Sequence, residues 1–118
     1  MDKKVYIPKV IEWVKRNGFE QIRANLEGYE MPIAYEPTNS HERLIPDVTA
    51  KLLFEKSYFE VVVRTKEVDK TALKLQLLSI LASYKGGQLY LMAPQGHYNF
   101  AKTLLLKNTI NGKIVKID

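Results

Sequence analysis

Apolar and polar positions alternate along the chain with two different periods, and these divide it into elements. Val10, Ile11 and Val14 repeat at helical spacing behind Pro8, which a first helical turn accepts, and Asn17-Gly18 closes the segment. Residues 8–17 therefore read as a first helix. Partial alternation from Phe19 to Leu26 predicts a strand, and Glu27-Gly28 a turn. Met31 to Tyr35 reads either as a further strand or as a continuation of the first. Glu36 to Arg43 is polar, with Pro37, Asn39 and Ser40, and predicts a loop. Val48 to Phe54 alternates, Glu55-Lys56-Ser57 reads as a turn, and Tyr58 to Thr65 alternates again. This pattern predicts an antiparallel hairpin. Asp69 is a candidate cap for a long helix starting near Lys70, with Leu73, Leu77, Ile80/Leu81 and Tyr84 on its inner face. Gly86-Gly87 ends it. Gln88 to Ala93 predicts a central strand, His97 to Lys107 a packed helix carrying Phe100, Ala101, Leu104 and Leu105, and Lys113 to Ile117 a last strand.

The order is helix, strands, helix, strand, helix, strand. A hairpin followed by a helical crossover implies an α/β fold, with a mixed central β-sheet flanked by helices on both faces. No repeat, low-complexity tract or linker interrupts it, so residues 1–118 are expected to form a single domain.

Composition narrows the chemistry. There is no cysteine, which excludes disulfides, thiolate metal sites and thiol catalysis. His41 and His97 are isolated, against a histidine-rich zinc site. The start is too short an apolar run for a signal peptide, and no stretch approaches the roughly 20 apolar residues of a membrane helix, so the expectation is a soluble cytoplasmic protein without membrane contact. The net charge is +5 and lies unevenly. Residues 1–60 carry nine Lys/Arg against ten Asp/Glu, whereas residues 61–118 carry nine against three. A basic half can attract phosphate backbone, or it can serve solubility alone.

The candidate chemistry sits in the hairpin. Pro46-Asp47 enters its first strand, and Arg64-Thr65-Lys66 leaves the second. If the turn centres on 56–57, Asp47 lies across from Lys66 and Thr49 across from Arg64. Asp47, Lys51, Glu60, Arg64 and Lys66 then share one face. A one-residue slip would set Asp47 among Phe59, Val61 and Val63, a poor place for a charge.

This arrangement resembles the PD-(D/E)XK nuclease superfamily, whose restriction-endonuclease-like fold has an αβββαβ core. A C-terminal helix and strand follow that core here. The resemblance covers residues 8–94 and rests on element order and a few residues. It implies a Pro-Asp on the second strand and an acid-x-lysine triplet on the third. The two acids hold magnesium, and the lysine orients or activates water. Pro46-Asp47 matches the first element. The triplet fits in two ways: Arg64-Thr65-Lys66 keeps the lysine and loses the acid, whereas Glu60-Val61-Val62 keeps the acid and loses the lysine. The first is preferred, because Lys66 then stands just before the helix.

In that frame Glu60 is about six residues, roughly 20 Å, along the strand from Lys66 and too far away to share an ion with Asp47. The further carboxylate is then expected from Glu12 or Glu20. Alternatively Arg64 fills the metal position with its own charge and silences the site. The site expectation is therefore Asp47, Lys66 and Glu60 as catalytic candidates, and Asp47, Glu12 and Glu20 as metal ligands. Arg64, Lys51 and Lys70 are candidate nucleic-acid contacts. DNA is the favoured partner, and a homodimer is one way for so small a domain to grip a duplex. Gln76 occupies a helix position that some relatives use, but Ile80 breaks the secondary motif there. Tyr84, Tyr90 and Tyr98 read as core and core edge, and His97 as a surface or capping residue.

Overall fold

A five-stranded sheet organises the described residues. The structure, a computed structural model, describes residues 2–36 and 43–118. A 3-10 turn, Lys3–Tyr6, leads into α1, Ile7–Arg16, followed by β1, Glu20–Ala24. The hairpin β2, Val48–Leu52, and β3, Glu55–Val61, comes next. Then follow α2, Val68–Tyr84, β4, Gly86–Pro94, α3, Tyr98–Lys107, and β5, Lys113–Ile117. Spatial order equals chain order, β1-β2-β3-β4-β5. The first three strands pair antiparallel, and β3-β4 and β4-β5 pair parallel through the crossover helices. The fold is α/β with a mixed sheet, as the element order predicts.

The two sheet faces carry separate cores. On one, Ile7, Val10, Ile11 and Val14 of α1 pack on Val48, Ala50, Phe59 and Val61. Their spacing puts one apolar stripe against the sheet. Trp13, Phe19 and Tyr90 gather round Phe59, whose ring stacks on Tyr90 at 4.9 Å. On the other face, α2 and α3 cover Tyr58, Val62, Leu89 and Leu91. Asn17 closes α1 by donating its side-chain amide to the Trp13 carbonyl, 2.7 Å away. Gly87 is required where β4 meets β3, because a Cβ there would lie 1.9 Å from the Lys56 carbonyl oxygen.

Several details differ from the pattern-based expectation. Met31 to Tyr35 forms no strand, only an isolated bridge between Tyr35 and Leu44. Most of the predicted Glu36–Arg43 loop, residues 37–42 with His41, lies outside the described residues. The inner face of α2 is Ala72, Leu75, Leu78 and Ala82, while Leu73, Ile80 and Tyr84 are exposed. This helix is apolar nearly all round, so periodicity cannot choose its face; the small Ala72 and Ala82 let it approach the sheet. The polar triplet Glu55-Lys56-Ser57 belongs to β3, and the turn is Leu53-Phe54.

That last difference changes the site. The turn lies at 53–54 instead of 56–57, and each residue of displacement moves the partner of a fixed residue by two. The pairing Val48↔Phe59 therefore continues to Asp47 beside Glu60, not Lys66. The parity is unchanged, so Asp47 stays off the α1 face as expected.

Candidate functional site

Pro46 has no N–H and ends the ladder of β2. Asp47 takes over from there. Its carbonyl accepts from the Asn25 N–H at 2.9 Å, and its own N–H donates to Glu60 Oε1 at 3.0 Å. Its carboxylate oxygen Oδ2 accepts from the Val61 N–H at 2.8 Å. Asp47 and Glu60 are each 3% exposed, so two carboxylates meet inside the protein at the head of the hairpin.

Two ammonium groups balance them. Lys3 Nζ, on the 3-10 turn before α1, lies 3.0 Å from Asp47 Oδ2 and 2.6 Å from Glu60 Oε2. Lys74 Nζ, on α2, lies 2.6 Å from the same Glu60 oxygen. Buried charges persist when they are paired and hydrogen-bonded, and this quartet satisfies both conditions. Burial, followed by the neighbouring Glu60 charge, pushes the Asp47 carboxyl up to about 7 against the pull of Lys3 and Lys74. Burial acts on Glu60 in the same direction, but the charges of Lys3 and Lys74 outweigh it and hold its carboxyl below the usual range. Burial would lower the Lys3 pKa, yet Glu60 and Asp47 raise it above the ordinary lysine value.

Beside the quartet opens a groove of about 660 Å³ between the end of β3 and the first half of α2. Lys3, Glu60, Lys70 and Lys74 line it together with Arg43 and Glu67.

The other predicted residues lie elsewhere. Lys66 is exposed in the β3–α2 connection, where Thr65 and Glu67, not Lys66, line the groove. Arg64 is exposed, and its backbone N–H donates to His97 Nδ1 at 2.9 Å. The cation between the carboxylates is therefore Lys3 rather than Arg64. Glu12 points to solvent from α1, which packs on the opposite sheet face. Glu20 is exposed and pairs with Lys51 at the far end of β2, so neither glutamate joins Asp47. Glu60 does, contrary to the strand-length argument, because the turn is earlier. Lys70 reaches Glu67 at 3.7 Å on the groove rim. Gln76 donates to the Asn108 carbonyl at 3.0 Å and ties α2 to α3. Tyr84 is exposed, while Tyr98 lies under the Lys116 ammonium at 4.4 Å.

Lys3 and Lys74 escaped the sequence reading. The one available signal for Lys74 is a cation set between Leu73 and Leu75, one turn beyond Lys70 on α2. Lys3 gives none, since its reach depends on how α1 docks.

Magnesium takes oxygen ligands, usually one or two carboxylates completed by water. Asp47 and Glu60 meet that donor requirement, provided that the Lys3 ammonium moves aside. Among the described residues no group of three or more His, Cys, Asp or Glu could hold a metal ion. Among them, too, no helix is long and apolar enough to cross a membrane. Comparison with known proteins finds no matching family model, no matching curated protein and no matching solved structure.

Proposed function

We propose that this chain is a nuclease-like domain of the PD-(D/E)XK kind that contacts nucleic acid, DNA being favoured, through the groove beside Asp47 and Glu60. The observation that carries the reading is the meeting of these two buried carboxylates at the head of an antiparallel hairpin, followed by a helical crossover. Of the two placements of the triplet, Glu60-Val61-Val62 is the one supported. The lysine missing at Val62 is supplied from α2 by Lys74, which touches Glu60.

Asp47 and Glu60 would hold one divalent ion, which supplies water activation and offsets charge developing on the phosphate. Lys74 is placed to bind a phosphate oxygen or to orient water, and Lys70 and Arg43 to draw the backbone into the groove. The test is cleavage of plasmid and short duplex DNA with magnesium or manganese. Cutting is expected to vanish in Asp47→Asn and Lys74→Ala and to survive in Lys66→Ala. The reverse outcome for the two lysines restores the Arg64-Thr65-Lys66 frame.

A second reading has its own observation. The Lys3 ammonium already occupies both carboxylates that would hold an ion, 3.0 Å from Asp47 Oδ2 and 2.6 Å from Glu60 Oε2. On this reading the domain is a catalytically silent relative that binds nucleic acid or protein without metal. Manganese titration of the wild type and of Lys3→Ala separates the two. An ion bound only by the variant marks Lys3 as a permanent plug, whereas equal binding favours the enzyme.

A further inference from the structure

A second pocket, of about 270 Å³, opens on the same sheet face at the opposite end of β2. Asp47 and Lys51 are four residues apart, about 13 Å of strand at ~3.3 Å per residue. Among the described residues, Arg23, Lys51, Lys56 and Lys85 line this pocket, and no carboxylate does. Arg23 has a surface contact with Glu30 at 3.4 Å.

Three locally unfavourable features converge there. Lys51 pairs directly with Lys56 across the hairpin, and like charges facing each other destabilise a sheet. The Lys56 ammonium is held below its ordinary pKa by burial and by Lys85, Arg23 and Lys51. The turn is made by Leu53 at φ 59, a left-handed conformation that glycine or asparagine would adopt with less strain. That turn also exposes Leu53 at 85% and Phe54 at 96%, and Phe54 is part of the pocket wall. Violations of local rules that gather at one place point to a use for that place.

We propose that this pocket is a phosphate-binding site for a nucleic-acid strand, with the four cations on the backbone and Phe54 at the rim stacking on a base. A phosphate would remove the repulsion between Lys51 and Lys56, and a base would cover the exposed ring. Free phosphate shares the first interaction but not the second. The identity of the ligand rests on the nucleic-acid reading above; the cation cluster itself does not.

The experiment is fluorescence anisotropy of a short labelled single-stranded oligonucleotide in EDTA, across a salt series. Removing two cations in Lys56→Gln/Lys85→Gln is expected to lower the slope of log K against log salt by about 1.4, at ~0.7 per phosphate contact. Phe54→Ala is expected to weaken binding roughly 5- to 150-fold with the slope unchanged, the range of one stacked base. Lys51→Gln serves as an independent variant should the double one fail to fold. An unchanged slope overturns the site. Pyrophosphate competing fully, with no effect of Phe54→Ala, makes it a free-phosphate site and overturns the strand. A polyglutamate peptide competing as well as the oligonucleotide overturns the nucleic acid. EDTA keeps the outcome separate from catalysis: loss of metal-dependent cutting with retained, pocket-dependent binding removes the enzyme reading alone. Metal-dependent cutting with an unchanged slope removes the pocket alone.

Discussion

The two ends of β2 handle charge in opposite ways. At the head, Asp47 and Glu60 are buried and closed off by Lys3 and Lys74, so every charge has a partner within 3.0 Å. At the tail, half-buried Lys51 and Lys56 face each other with Arg23 and the exposed Lys85 alongside, around a pocket that opens to solvent. The head can be buried because it is internally neutral. The tail tolerates repulsion because water and salt screen it. The head therefore contributes to holding the fold, whereas the tail carries positive charge that no carboxylate among the described pocket residues offsets.

The largest effect expected from breaking this contrast is at Glu60. Glu60→Ala leaves the Lys74 ammonium and the Asp47 N–H without their acceptor and Lys3 with Asp47 alone, and loss of one partner of a buried pair costs about 3–5 kcal/mol. Urea denaturation should show a midpoint shift of that size. Lys74→Ala is expected to cost less, since Lys3 remains on Glu60, and its unfolding midpoint should fall between those of Glu60→Ala and the wild type.

Asp47 gives a pH signature. Its folded pKa of about 7 lies above the ordinary 3.8, so the folded chain holds this proton more tightly than the unfolded one. The Asp47 contribution to stability is full below pH 3.8 and is lost as pH rises through about 7. Asp47→Asn, which keeps an oxygen for the Val61 N–H, should raise the melting temperature above pH 7 and flatten the slope between the two values. Glu60 works in the opposite sense, because its carboxyl is held low: its contribution is present above its ordinary pKa and lost on acidification. A melting-temperature profile of Asp47→Asn that parallels the wild type at every pH would refute the assignment for Asp47.

The smallest effects belong to the tail. Lys56→Gln should stabilise by about 0.5 kcal/mol at low salt, the scale of one like-charge cross-strand pair, and the gain should shrink in high salt. Phe54→Ser should leave the unfolding midpoint unchanged, since its ring covers nothing. Should either tail variant destabilise as much as Glu60→Ala, the contrast between the two ends is wrong.

Much of the architecture was legible in the chain. The predicted spans of α1, α3 and β5 match closely, because a single amphipathic stripe, or alternation bounded by turn residues, leaves no alternative. The mixed sheet followed from a hairpin and two crossovers. The face of α2 was not legible, since leucines surround that helix. Nor was the hairpin turn, because an exposed Leu-Phe pair inverts the usual polarity signal that a polar Glu-Lys-Ser triplet imitates.

The local sequence determined that Asp47 would sit at the start of a strand and on which side of the sheet it would point, because alternation has a period of two and Pro46 ends the ladder. Which acid and which lysines would meet it was decided by tertiary structure alone. A three-residue displacement of one turn replaces Lys66 with Glu60, and the docking of α1 and α2 brings Lys3 to Asp47 across 44 residues of chain and Lys74 to Glu60 across 14. Contacts of that separation depend on how whole elements pack, and no short-range pattern encodes them.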